Sequence, residues 1–302
     1  MSRVLAIDAG QTGIKVRVGG QDLVFPGIDT HEELLPQLAD VVRAALERTG
    51  ADASVVTAGV SGLTTREADA AALLTRIGEP HVREVTLAHD STTSFLGALG
   101  DVPGAVVAAG TGVVTLAVGA EQVARVDGWG YLMGDAGSGY WIGREALDAV
   151  MREFDGRGPA TALTGVAMER WPDLTQAYID LQADHDRVRV VASFAEHVAR
   201  FATAGDAVAQ HITVRAGGEL AHSVETALRR VRSDAAEHFS VCAIGGVFRS
   251  PQLHEAFASH IAASEFDVAL VEPRGHGIDG AVALADLGPQ HPLSPAVWRA
   301  HA

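Results

Sequence analysis

The stretch from Val4 to Val18, VLAIDAGQTGIKVRV, decides how this chain is read. An apolar strand runs to Asp8, a turn carrying Gly10, Thr12 and Gly13 follows, and a second strand leaves at Ile14. Glycines let the backbone fold tightly and bare its N–H groups, which suit phosphate oxygens. The Thr12 hydroxyl serves the same end, and a carboxylate such as Asp8 suits magnesium. Taken alone, the same pattern also describes a plain β-hairpin, so the rest of the chain has to decide.

Outward from that turn, the first third alternates. A short strand over Leu23–Phe25, a helix over 31–48 with apolar residues at helical spacing, and a strand over Ser54–Val60 ending in Ser61-Gly62 come first. A helix over Glu67–Ile77, a strand over Val82–Leu87 ending in His89-Asp90, and a helix over Ser91–Leu99 follow. The pattern then restarts: strand 104–109, turn Gly110-Thr111-Gly112, strand Val113–Val118. Matched hairpins suggest a duplicated α/β architecture. Asp101-Val102-Pro103-Gly104 is the best linker signal, which predicts domains over 1–103 and 104–302. The second is mostly helical over 138–232, then carries a strand ending in Gly245-Gly246, a helix near 251–263, a strand over Val268–Val271 and a last helix about 280–288. That last helix is expected to pack back on the first domain. The tail beyond Gly288, with prolines 289, 292 and 295, reads as an irregular surface extension.

Composition excludes several classes. The net charge of −15 argues against nucleic acid as a partner. No run of about 18 apolar residues spans a membrane, and Asp8 and Gly10 interrupt any signal-like core, so a cytoplasmic enzyme is expected. One cysteine, Cys242 in the apolar run HFSVCAIGG, excludes an intrachain disulfide and a CxxC zinc site and is expected to be buried. Lys15 is the single lysine and is expected on the surface; without a Gly-Lys pair there is no Walker-type phosphate loop. His254, Glu255 and His260 miss the zincin spacing, and Ile142 breaks GxGxxG after Gly137 and Gly139.

Three glycine turns follow strands, at Gly10–Gly13, Gly110–Gly112 and Gly245–Gly246. Ligands gather at the carboxyl ends of strands in open α/β sheets, so three such turns can hold a nucleotide without lysine; each can equally be an ordinary loop. Asp90, between a strand and a helix, reads as a helix N-cap and as a candidate base for phosphoryl transfer to an alcohol. The densest stretch is DGWGYLMGDAGSGYWIGREAL, Asp127–Leu147, with six glycines and two tryptophans. It reads as a sugar-binding loop using Trp129 and Asp135, or as a core loop packed by Trp129 and Trp141, with Trp141 expected in the core.

These motifs resemble the N-acetylglucosamine kinase branch of the sugar kinase/hsp70/actin superfamily, which also holds the ATPases that activate 2-hydroxyacyl-CoA dehydratases. The resemblance runs through Asp8–Thr12, Gly110-Thr111-Gly112, Gly128-Trp129-Gly130, Gly134–Ser138, Tyr140–Glu145 and Gly245-Gly246-Val247, and covers nearly the whole chain in order. It implies two actin-like, ribonuclease H-like domains with a central nucleotide and sugar cleft. By resemblance, Asp8 holds magnesium through water, and Gly10, Gln11, Thr12, Gly110, Thr111 and Gly112 line the phosphates of ATP. Gly245 and Gly246 pass beside the adenosine. Asp90 takes the proton of the sugar 6-hydroxyl, and Asp29, Ser61, Thr111, Trp129 and Asp135 contact the sugar.

The resemblance therefore implies an ATP-dependent kinase of an amino sugar, N-acetylglucosamine first, working as a homodimer with ATP and Mg2+ and with no nucleic-acid or membrane partner. Four positions depart from the family's pattern: Gln11 for glycine, Ala136 for glutamate, Asp29 for asparagine, and His89 where asparagine is frequent. The added carboxylate at Asp29 could favour a free amine, which makes glucosamine the alternative substrate; another hexose is a further one. The activator branch needs two cysteines per chain for a shared iron–sulfur cluster, and this chain has one. The repressor relatives carry an N-terminal helix-turn-helix where this chain begins its first strand. A non-catalytic sensor on the same fold is the competing class, but it would need neither Asp8 nor Asp90.

Overall fold

The computed structural model of the protein describes residues 3–10, 12–29 and 31–302. Strands β1 (Val4–Ala9), β2 (Ile14–Val18) and β3 (Gln21–Phe25) form an antiparallel meander, followed by α1 (Leu34–Thr49), β4 (Val55–Val60), α2 (Ala70–Ile77), β5 (Glu84–His89) and α3 (Asp90–Leu99). Next come β6 (Gly104–Ala109), β7 (Val113–Val118), β8 (Val123–Val126) and five helices: α4 (Gly139–Phe154), α5 (Leu163–Arg170), α6 (Leu174–Ala183), α7 (Arg187–Thr203) and α8 (Ala207–Val231). The chain closes with β9 (His238–Ile244), α9 (Pro251–Ala262), β10 (Asp267–Leu270), α10 (Gly277–Ala283) and β11 (Val297–His301).

Two sheets result, ordered β11-β5-β4-β1-β2-β3 and β10-β9-β6-β7-β8. The chain divides into two compact units: the described residues up to Val106 with Val118–Val123 and Glu272–Ala302, and Val107–Ala117 with Ala124–Val271.

In the first unit, β1 is sandwiched. Strand side chains alternate between faces, so Leu5, Ile7 and Ala9 point with Ile14, Val16 and Val18 into a core completed by Leu38 and Val42 of α1 and Leu73 and Ile77 of α2. Each fully buried Leu or Ile there contributes about 1.5–3 kcal/mol. On the other face Ala6 packs on Ile278 and Ala281 of α10. The Thr57 hydroxyl on β4 donates to the Ala281 carbonyl at 2.6 Å, so α10 is tied down over the sheet. In the second unit α4 packs on α7, and α8 on α7 and α9. Cys242 is fully buried on β9.

Three local expectations are corrected. The tail after Gly288 is not irregular: β11 pairs antiparallel with β5, Trp298 opposite Leu87, and Trp298 and Ala300 pack on the core. The unpaired edge of β5 supplies the partner, which proline content near the tail does not reveal. The last helix begins at Gly277, where Asp279 accepts the His276 N–H at 2.7 Å as half of a capping box. β8 has no counterpart in the expected strands.

Candidate active site

In the first unit the β1–β2 turn closes through the Gly10 N–H donating to the Gly13 carbonyl at 3.1 Å. The Ile28 N–H donates to Gly10 and the Ser61 N–H to Ala9, so the backbones beside Asp29 and at Ser61 meet at this turn. Thr12 and Asp29 are exposed, and Ser61 is half-buried. The Asp29 carboxylate is engaged locally by the His31 N–H at 2.9 Å. Gln11 lies outside the described residues.

Asp8 is half-buried near the end of β1, directly across the ladder from Lys15. On its other side α10 brings its first residue so close that a Cβ at Gly277 would lie 2.9 Å from the carboxylate carbon and both oxygens. Only glycine fits there. Burial pushes the Asp8 carboxyl above its ordinary value and Asp90 adds to this, while Lys15 and His276 pull the other way.

Asp90 is not the N-cap of α3 but its first residue; His89 is the cap, its Nδ1 accepting the Ser91 N–H at 3.1 Å. A histidine ring nitrogen occupies the cap because the strand ends one residue before the carboxylate. His89 Nδ1 also lies 2.8 Å from Asp90 Oδ1. While Nδ1 accepts from Ser91 it has no proton to give, and Oδ1 is buried without a partner. In the tautomer that carries its proton on Nδ1, Nδ1–H donates to Oδ1 instead. Burial alone would push the Asp90 carboxyl up; His89, the Ser61 hydroxyl and the Ser91 N–H outweigh it and hold it below the usual range. Asp90 is thus a carboxylate whose charged form these neighbours favour.

In the second unit the β6–β7 turn closes with the Gly110 N–H on the Gly112 carbonyl at 2.8 Å. The start of α4 docks on it, with the Gly139 N–H on Gly110 and the Tyr140 N–H on Thr111. Ser138 caps α4 by accepting the Trp141 N–H. Gly245 adopts φ 105°, and a Cβ there would collide with the backbone of Ala109. Gly110, Thr111 and Gly246 line one cavity of about 720 Å³ with Ser193, Glu196 and Val247; Gly112, Gly245, Trp129 and Asp135 are not in its lining.

The loop after β8 holds Asp135 under strain. Asp127 and Asp135 are the positive-φ residues other than glycine among the described ones, both at 59°. Asp127 accepts the N–H groups of Asp135 at 2.7 Å and Ala136 at 3.0 Å. Asp135 is 7 % exposed, accepts the Gly130 N–H at 3.1 Å and lies beneath Gly112. Burial, then the Asp127 charge, raises its carboxyl's pKa against the Gly130 and Val113 N–H groups and Arg125. Trp129 is 64 % exposed, with the Arg125 guanidinium 5.8 Å from its ring, which removes it from any core. Trp141 is not core either: it is half-buried beneath Arg215, 5.1 Å from the ring centre.

Sequence reasoning missed Asp127, Gly277 and His276. The glycine-rich run Arg274-Gly275-His276-Gly277 was a usable signal. Asp127 was not, since only the N–H groups its carboxylate accepts, from Asp135 and Ala136, reveal that it holds the loop.

The profile of the BadF/BadG/BcrA/BcrD ATPase family matches residues 5–285. An N-acetylmuramic acid/N-acetylglucosamine kinase of Clostridium acetobutylicum is 25 % identical over 94 % of this chain and 98 % of its own length. An N-acetyl-D-glucosamine kinase of Dictyostelium discoideum is 31 % identical over 50 % of this chain and 48 % of its own. A solved structure from Chromobacterium violaceum, provisionally described as an N-acetylglucosamine kinase, superposes with a TM-score of 0.68 at 23 % identity, covering 93 % of this chain and 98 % of that one. A ROK family glucokinase of Streptomyces griseus, solved with glucose and AMPPNP, has a TM-score of 0.54 at 17 % identity, covering 95 % and 99 %. The shared fold is the two-domain actin-like fold.

Proposed function

Since the chain belongs to the BadF/BadG/BcrA/BcrD ATPase family, we propose that it is an ATP-dependent carbohydrate kinase acting on the 6-hydroxyl of an amino sugar, N-acetylglucosamine first. The carrying observation is Asp90: a partly exposed carboxylate at the start of α3, held below the usual range against its burial by His89, Ser61 and the Ser91 N–H. A general base needs an ionised oxygen within reach of a hydroxyl proton; Oδ1 is buried beside His89, while the Asp90 side chain as a whole keeps 29 % exposure, so the rest of the carboxylate is open to accept one. The full-length similarity to a kinase of N-acetylmuramic acid and N-acetylglucosamine supports the sugar class.

In this reading Gly10, Gln11, Thr12, Gly110, Thr111 and Gly112 offer N–H groups and hydroxyls to the phosphates. Gly245 and Gly246 pass beside the adenosine, Gly246 in the wall of the 720 Å³ cavity. Asp29, Ser61, Thr111, Trp129 and Asp135 meet the sugar; the exposed Trp129 ring offers an apolar face, and Asp135 a carboxylate. Among the described residues no three His, Cys, Asp or Glu side chains gather to hold a metal. Asp8 stands as a single carboxylate, which fits magnesium held mostly by water and phosphate. When bound, magnesium would neutralise phosphate charge, and Asp8 would hold it through water. A homodimer and a cytoplasmic setting complete the proposal. No helix among the described residues is long and apolar enough to cross a membrane.

The test is coupled ADP release over N-acetylglucosamine, glucosamine, N-acetylmannosamine and glucose, with Asp90→Ala alongside. Turnover on an amino sugar that Asp90→Ala loses by about 10²–10⁴-fold, with ATP and sugar still bound, is expected. Sugar binding without ADP release would favour the sensor instead, and an active Asp90→Ala would sink the base.

A further inference from the structure

The loop between β8 and α4 is built around two carboxylates. Asp127 and Asp135 both hold a left-handed φ of 59°, a conformation that costs an L-residue energy and persists only where its surroundings over-determine it. Space for each side chain comes from a missing one. A Cβ on Gly134 would stand 2.5 Å from Asp127 Oδ1, and a Cβ on Gly112 2.6 Å from Asp135 Oδ2. The Cβ on Gly134 would also lie 3.0 Å from the Trp129 Cβ, so this one glycine admits Trp129 beside Asp127.

The two carboxylates have different tasks. Asp127 gives its oxygens to the loop: Oδ1 accepts the Asp135 N–H at 2.7 Å and Oδ2 the Ala136 N–H at 3.0 Å. Hydrogen bonds to a charged acceptor are stronger than those to a neutral one. These two N–H groups flank the Asp135 Cα, so the clamp fixes the φ and ψ from which the Asp135 side chain departs. Asp127 also acts through its charge. Burial first, then Asp127, raises the Asp135 carboxyl, against Arg125 and the N–H groups of Gly130 and Val113. Arg125 is the one cation in that set, and its Nη2 donates to the Gly128 carbonyl at 2.7 Å. A loop that only joined β8 to α4 would need neither strained aspartate, since glycine takes such a φ without steric cost.

We propose that Asp127 is a positioning residue for sugar recognition: its carboxylate clamps the backbone on either side of Asp135 and so aims that side chain at the sugar. The proposal rests on the kinase reading, in which Asp135 meets the sugar, and deepens it by naming what holds that contact in place.

The test follows N-acetylglucosamine binding by calorimetry across pH in the wild type, Asp127→Asn and Asp127→Gly. Asparagine keeps the size but turns an NH2 group toward one of the two N–H donors; glycine suits the φ and drops the clamp. Both variants should bind the sugar about tenfold more weakly, the order of one hydrogen bond to a charged group, with ATP affinity kept. In the wild type, binding that needs an ionised Asp135 fades as pH falls through its raised value. Without the Asp127 charge that loss should move to lower pH. A merely structural role would weaken binding at every pH and leave the acid limb in place; that outcome overturns the proposal, as does wild-type sugar affinity in both variants. Should Asp127→Gly not fold, Asp127→Asn decides alone. Asp135→Ala separates the proposal from its premise: if it loses the sugar while the Asp127 variants keep it, only the role of Asp127 fails. If the wild type neither binds nor phosphorylates N-acetylglucosamine, the kinase reading itself falls, and this inference with it.

Discussion

Asp8 keeps a negative charge where water is scarce, and the fold bears the cost. Its carboxyl pKa is raised, chiefly by burial, so the folded state takes up a proton more readily than the unfolded chain does. Stability attached to this residue therefore grows as pH falls through the raised value and is reduced at neutral pH. Asp8→Asn is expected to melt above the wild type at pH 7 without nucleotide, the gap closing toward acid, while turnover is lost. Melting curves across that range check it; a variant less stable at pH 7 would contradict the assignment. At this scale the sequence pointed to Asp8, Asp90 and the aromatic loop by residue type and spacing. It did not reveal that His89, rather than Asp90, caps α3, or that Asp127 clamps Asp135, because both depend on which backbone N–H each side chain faces.

The long helix α8 hangs on a single cap. Asp206 accepts the Ala209 N–H at 2.9 Å, the Ala162 N–H at 2.7 Å and the Thr161 hydroxyl at 2.9 Å. Burial would raise its carboxyl, but these donors outweigh it and the pKa is lowered. Its contribution is therefore present above the unfolded carboxylate value and lost as pH falls through the folded one. Asp206→Ala should cost about 1–2 kcal/mol, read as a lower Tm at pH 7 that converges with the wild type in acid, and Asp206→Asn should lose less. Elements with strong local periodicity, such as α1, were legible in the sequence, and the region that holds α8 was legible as helical without its bounds. Strand β11 was not, because it exists for a partner edge on β5 that no local window contains. The start of α10 was missed for a similar reason: its first residue, Gly277, makes room for Asp8, a residue far away in sequence.

For the whole molecule, the net charge of −15 repels an incoming nucleotide at long range. Salt should weaken that repulsion, with a screening length of about 8 Å at physiological ionic strength. ATP association, followed by stopped flow, should therefore speed up several-fold between low and physiological salt, by the usual electrostatic effect on association. Binding of a neutral sugar should not change; slower ATP association with salt would mean that a local attractive field outweighs the net charge. The discontinuity of the first unit bears on how the chain is made. Its sheet is laid down early, but the strand that closes the β5 edge lies near residue 300, after the whole helical stretch of the second unit. At ribosomal speeds of about 5–20 residues per second, the intervening stretch of roughly 200 residues takes roughly 10–40 s. For that time β5 leaves the ribosome with its outer N–H and C=O groups open to other nascent chains, so the second unit can finish folding before the first.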